Sequence, residues 1–133
     1  MQYALLIYDE NTANPSPEPP DPAVWGQVME EYNAFTAAIR EAGVHRGGEA
    51  LHPNPTATSV RVRDGQTMTT DGPFAETKEG LGGFYLLECA DLDEALAWAA
   101  RCPGSRYGTV EVRPVIDMAP GMATEASVAA ASA

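Results

Sequence analysis

Basic side chains are scarce in this chain: 8 lysines and arginines stand against 19 acidic residues, a formal charge of −11. Affinity for a phosphate backbone needs clustered cations, so the balance excludes nucleic acid and anionic membrane surfaces as partners. Arg61 and Arg63 form the densest basic pair, two apart on a predicted strand, and suit a small anion rather than a duplex. No apolar run reaches spanning length and the Met1-Gln2-Tyr3-Ala4 start has no basic region, which predicts a cytoplasmic chain with no membrane partner. Cysteine is limited to Cys89 and Cys102, flanking a predicted helix. A helical separation of about 15 Å is too long for a disulfide, so both are expected reduced and buried. The 2 histidines are His45 and His52. On an unbroken strand His45 shares a face with Glu49 while His52 points the other way, so no metal is predicted. A bulge at Gly47-Gly48 would alter that parity. No cofactor is predicted either: the glycines at 80, 82 and 83 lead into a strand, whereas a phosphate cradle leads into a helix.

What the chain does have is one dense stretch, Thr70 to Tyr85. Asp71-Gly72-Pro73 is a turn: the carboxylate can fold back onto backbone N–H groups, Gly72 tolerates positive φ, and Pro73 removes a donor. Phe74 follows as a large apolar group needing cover, then Glu76, Lys78 and Glu79, with Gly80, Gly82 and Gly83 as hinge-like punctuation. One reading makes Asp71 or Glu76 a general acid or base; the other makes Asp71 a turn former and the charges a solvated loop.

Along the chain, Gln2 to Tyr8 predicts a strand apolar on both faces, Tyr3, Leu5 and Ile7 against Ala4, Leu6 and Tyr8. Asp9 to Pro20 reads as a proline-rich loop that cannot be helical, long enough to border a cleft. Asp21 caps a helix with Pro22 at its first position; Trp25, Val28, Tyr32, Phe35, Ile39 and Ala42 form its core stripe and Gly43 closes it. Val44 to Leu51 is a strand, and His52, ahead of Pro53-Asn54-Pro55, stands where acid–base work is plausible. Thr58 to Arg63 predicts a strand with Val60 and Val62 inward; Asp64-Gly65 turns it back through Gln66 to Thr70. Phe84 to Cys89 is a further strand. Asp91 and Glu94 frame a helix with Leu92, Ala95, Leu96 and Ala99 buried, ended by Pro103-Gly104, and Thr109 to Ile116 is the last strand.

Strand, helix, strand, inserted hairpin, strand, helix, strand predicts an α+β fold of the split βαβ kind, one domain over residues 1–118, followed by an alanine-rich flexible tail at 119–133. Two helices cover only one sheet face, and the inner strands are apolar on both. A second copy packed sheet to sheet would cover the other, so a homodimer is expected.

Thr70 to Glu79 with Leu81-Gly82-Gly83-Phe84-Tyr85 resembles the signature of the DGPF family within the YciI-related proteins. Met1 to Tyr8, Thr58 to Gly65 and Asp93 to Ala100 support the resemblance, which spans roughly residues 1 to 116. It implies a ferredoxin-like fold with an inserted hairpin, in the dimeric α/β-barrel superfamily. YciI proteins proper are proposed to use a histidine–aspartate pair with the histidine early in the chain. Here no histidine precedes His45, so that pair does not carry over. A catalytic site would be rebuilt on Asp71 with His52 or Glu76, and ligand contacts would come from Phe74, Lys78, Tyr8 and Arg61. Many DGPF proteins are similar to domains fused to, or encoded beside, extracytoplasmic-function sigma factors, which implies a regulatory role. The sequence thus leaves three readings: a small-molecule-binding module tied to a sigma factor, a small-molecule enzyme, and a structural dimer with no ligand.

Overall fold

In the computed structural model, residues 1–118 are described; the alanine-rich tail expected at 119–133 lies outside them. Strand β1 (Gln2–Asp9) is central to a four-stranded antiparallel sheet. Its neighbours are β5 (Gly80–Glu88) on one side and β6 (Thr109–Pro114) on the other, with β2 (His45–Ala50) outside β5. The order β2-β5-β1-β6 with antiparallel pairing throughout is an α+β arrangement compatible with the ferredoxin-like fold.

Helices α2 (Pro22–Glu41) and α3 (Leu92–Arg101) supply the core with the sheet. Tyr3, Leu5 and Ile7 alternate into it and are buried, as are Phe35, Ile39, Leu87, Ala95 and Ala99. Phe35 meets Tyr85 and Trp98 edge-on at centroid distances of 5.2 and 6.3 Å. The opposite residues, Ala4, Leu6, Tyr8, Phe84 and Leu86, are only half-buried on a face that no helix among the described residues covers. Cys89 and Cys102 are free and buried. No helix is long and apolar enough to cross a membrane among the described residues.

Several expectations need correction. The segment after β1 opens with a short helix, α1 (Glu10–Ala13): Asp9 caps it by accepting from Thr12 N at 2.6 Å, and the prolines that forbid helix begin only at Pro15. Trp25 is 56% exposed, outside the core stripe. It stands in the first turn of α2, whose buried residues, Phe35 and Ile39, lie in the second half of the helix. On α3 the buried line runs through Ala95 and Ala99, with Trp98 partly covered, leaving Leu92 and Leu96 at its exposed edge.

The hairpin of β3 (Thr58–Arg63) and β4 (Gln66–Asp71) forms a separate two-stranded sheet. Its turn is as expected, with Asp64 and Gly65 at φ 52° and 76°. Val60 and Val62 do not face inward, however: they are 60% and 56% exposed, because no layer among the described residues lies over the hairpin. Strand β5 starts at Gly80, so the three glycines are strand residues, not hinges. In β2 the ladder shifts between His45 and Gly47, the bulge suggested by the glycine pair. The bulge places His45 opposite Leu87 and Glu49 opposite Phe84, and hence on opposite faces. Residues 104–107 add a last short helix, α4 (Gly104–Tyr107).

Candidate functional site

The densest stretch of the sequence unfolds along one end of the sheet, between β4 and β5. Gly72, at φ +91°, takes the turn after Asp71, and its N–H bonds Ala57 O at 2.6 Å while Ser59 Oγ donates to its carbonyl at 2.8 Å. Those two bonds, rather than an Asp71 side-chain bond, fasten the turn. The Asp71 carboxylate is exposed and accepts no hydrogen bond. His52 and Glu76 are exposed as well, and neither is paired with Asp71. Phe74 is 71% exposed with the Arg61 guanidinium stacked 4.0 Å from its ring centroid.

Beyond Glu76 the chain turns onto α1. Lys78 Nζ lies 3.4 Å from Glu10 Oε1 at the edge of a groove of about 630 Å3 lined by Glu10, Asn11, Asn14, Ser16, Thr77 and Lys78. Its walls are therefore the loop after β1 and the tail of the central segment. Lys78 is thus the one sequence-derived candidate on the groove, while Asp71, His52, Glu76, Phe74, Tyr8 and Arg61 lie outside its lining. The groove residues of α1 went unread because the prolines of 15–20 coloured the whole loop. The available signal was Asp9 three residues before Thr12, the spacing of an N-cap and the N–H it receives.

Close packing fixes this end. A Cβ on Gly80 would come within 2.6 Å of Asn54 Oδ1 and 2.7 Å of Ala13 N, and one on Gly82 within 2.8 Å of Thr12 Oγ1. Only glycine lets α1 and the 54–56 turn sit against the start of β5. Gly82 is also the extra residue where the β1–β5 register shifts. Thr77 Oγ1 donates to the Glu79 carbonyl, and Thr109 Oγ1 donates to Glu79 Oε1 at 3.0 Å. Glu79 Oε2 is sealed from solvent and has no hydrogen-bond partner. No three histidine, cysteine or acidic side chains gather as a metal set among the described residues.

A second polar cluster lies on the helix side, where Glu31 accepts from Arg106 at 2.8 Å and from Tyr107 at 2.9 Å. The Tyr107 hydroxyl, then Arg106, hold the Glu31 carboxyl below its ordinary value, and Glu31 in turn pushes Tyr107 up. The groove beside it, about 260 Å3, is lined by Glu31, Phe35, Arg101 and Arg106 among others.

Comparison with known proteins bears on the whole chain. An uncharacterised protein of Rhizobium meliloti (strain 1021) is 40% identical over 128 residues, 91% of this chain and 97% of that protein. The YCII-related domain matches residues 1–119, and the chain therefore belongs to the YCII-related domain family.

Proposed function

We propose that this chain is a homodimeric small-molecule-binding module with a regulatory role, acting through an extracytoplasmic-function sigma factor. The groove edged by Lys78 is the observation that carries the binding reading: its two walls together offer a cation, a carboxylate, amides and hydroxyls. Such a lining suits a small polar ligand. The half-buried apolar sheet face supports the dimer, and the regulatory partner rests on the resemblance of the Thr70–Tyr85 stretch. A thermal-shift screen of small polar metabolites tests the site. A ligand that stabilises the wild type and not Lys78→Ala is the expected result; equal stabilisation of both would place binding elsewhere. The Lys78–Glu10 pair is 86% and 68% exposed, so its loss alone costs under about 0.5 kcal/mol and leaves the fold intact. Co-purification with a sigma factor tests the regulatory part, and its absence at native expression would overturn it.

A second reading, a small-molecule enzyme working by acid–base chemistry on Asp71 with His52 or Glu76, is favoured by one observation. The Asp71 carboxylate accepts no hydrogen bond and so remains available to a substrate. Under this reading Asp71→Asn abolishes turnover of the screened ligand without abolishing its binding. Unchanged turnover would remove Asp71 from the chemistry.

A further inference from the structure

Among the described residues, no element covers either face of the β3–β4 hairpin. Val60 and Val62 are exposed on one side, Met68 and Phe74 on the other, at 46% and 71%. An isolated two-stranded hairpin is marginally stable in water, so this one needs a surface to lie on. Its two faces are not equivalent. Val60 and Val62 stand among Thr67 and Thr69, short side chains that tolerate water. The other face presents Met68, the Arg61–Phe74 stack and Arg63. Neither arginine meets a carboxylate among the described residues: Arg61 lies on the Phe74 ring, and Arg63 donates to the Val62 carbonyl.

The uncovered face of the four-stranded sheet has the complementary pattern. Glu49, Phe84, Leu6 and Glu111 form one row across it, since Glu49 pairs with Phe84, Phe84 with Leu6, and Leu6 with Glu111. An apolar centre is therefore flanked by a carboxylate at each end. Glu111 holds Arg113 at 2.9 Å, whereas Glu49 is exposed and has no cation beside it. The face carries one cation of its own, Arg113 opposite Ala4, and Glu111 already holds it, so a second such face brings no further cation for Glu49 in chains that each carry −11. The arm's Arg61 and Arg63 can supply one.

We infer that the β3–β4 hairpin is an arm that lies on the uncovered sheet face of a second copy of this chain. Phe74 and Met68 cover Leu6 and Phe84, and an arm arginine meets Glu49. The inference rests on the homodimer proposed above and deepens it by giving the interface its residues: Arg61 and Phe74, candidate ligand contacts that lie outside the Lys78 groove, would be delivered to the partner's sheet.

The experiment mixes two variants that each add one cysteine, Met68→Cys and Glu49→Cys, after subunit exchange, and treats them with a short bis-maleimide. Both native thiols are buried, so the introduced ones react first. Sedimentation equilibrium of the wild type and of Arg61→Glu/Arg63→Glu accompanies it. A covalent dimer formed only in the mixture, with a dissociation constant raised about tenfold or more by the double reversal, is the expected result. A wild type that sediments as a monomer overturns both the homodimer and the arm. A dimer that gives no inter-chain link, or whose affinity the reversal leaves unchanged, overturns the arm alone and leaves the homodimer standing. All the substituted positions are exposed, so the variants are expected to fold.

Discussion

Gly108 and Gly48 show how far single residues dictate the packing around the sheet. A Cβ on Gly108 would run into the Tyr8 carbonyl oxygen, and one on Gly48, at φ +150°, into that of Phe84. Backbone atoms cannot swing aside as a side chain would, so Gly108→Ala is expected to cost about 3 kcal/mol in urea unfolding. A cost below about 1 kcal/mol would mean that the β1–α4 approach is slack. The thiols give a second test at this scale. Burial, then the nearby Glu94, pushes Cys89 up to about 11, and burial also raises Cys102. Neither forms appreciable thiolate near pH 8, so the native protein is expected to ignore a disulfide reagent that labels both thiols once urea unfolds the chain. Tyr107 gives a third. Glu31 is the first cause of its raised value, so Glu31→Gln brings its titration back toward the ordinary 10.0, read by ultraviolet difference absorbance. Their joint contribution to stability has two limits. It is lost as pH falls through the lowered Glu31 value, and again as pH rises through the raised Tyr107 value.

Among the elements, each helix of eight or more residues begins on an aspartate whose role was legible in the sequence. Asp21 accepts from Ala23 N at 2.9 Å, with Pro22 in the first turn, and Asp91 accepts from Glu94 N at 2.9 Å. Asp91→Ala is expected to lower stability by about 1 kcal/mol, measured by urea titration, with Asp91→Asn nearly neutral. The strand alternation in β1 was equally legible, because a period of two separates the buried Tyr3, Leu5 and Ile7 from their half-buried neighbours. Less legible was α1, hidden by the prolines that follow it, and the start of β5 at Gly80, since glycine carries no strand preference to read. The orientation of the hairpin was not legible at all. Alternation in β3 says that Val60 and Val62 share a face, but not whether anything lies over that face.

For the molecule as a whole, the tyrosines on the helix-covered side set an alkaline limit. Burial is the first cause of the raised values of Tyr32 and Tyr85. Groups with raised folded values stabilise the fold below their unfolded value of 10.0 and lose that contribution as pH rises through the folded one. Urea midpoints are therefore expected to fall steeply above pH 10, and a flat profile to pH 11 would mean that these hydroxyls are not enclosed.

Local chemistry in the sequence by itself determined the caps, the Asp64-Gly65 turn, the bulge in β2 and the two-faced apolarity of the central strands. Each depends on neighbours within a few residues, where propensity, periodicity and hydrogen-bonding reach suffice. Only the tertiary structure decided that Lys78 meets Glu10 across a groove, that Asp71, His52 and Glu76 stand apart, and that the hairpin leaves the sheet. Those outcomes follow from which distant backbones a glycine allows to touch, as Gly80 does for α1 and the 54–56 turn. Chain-distant contacts of that kind have no period to announce them.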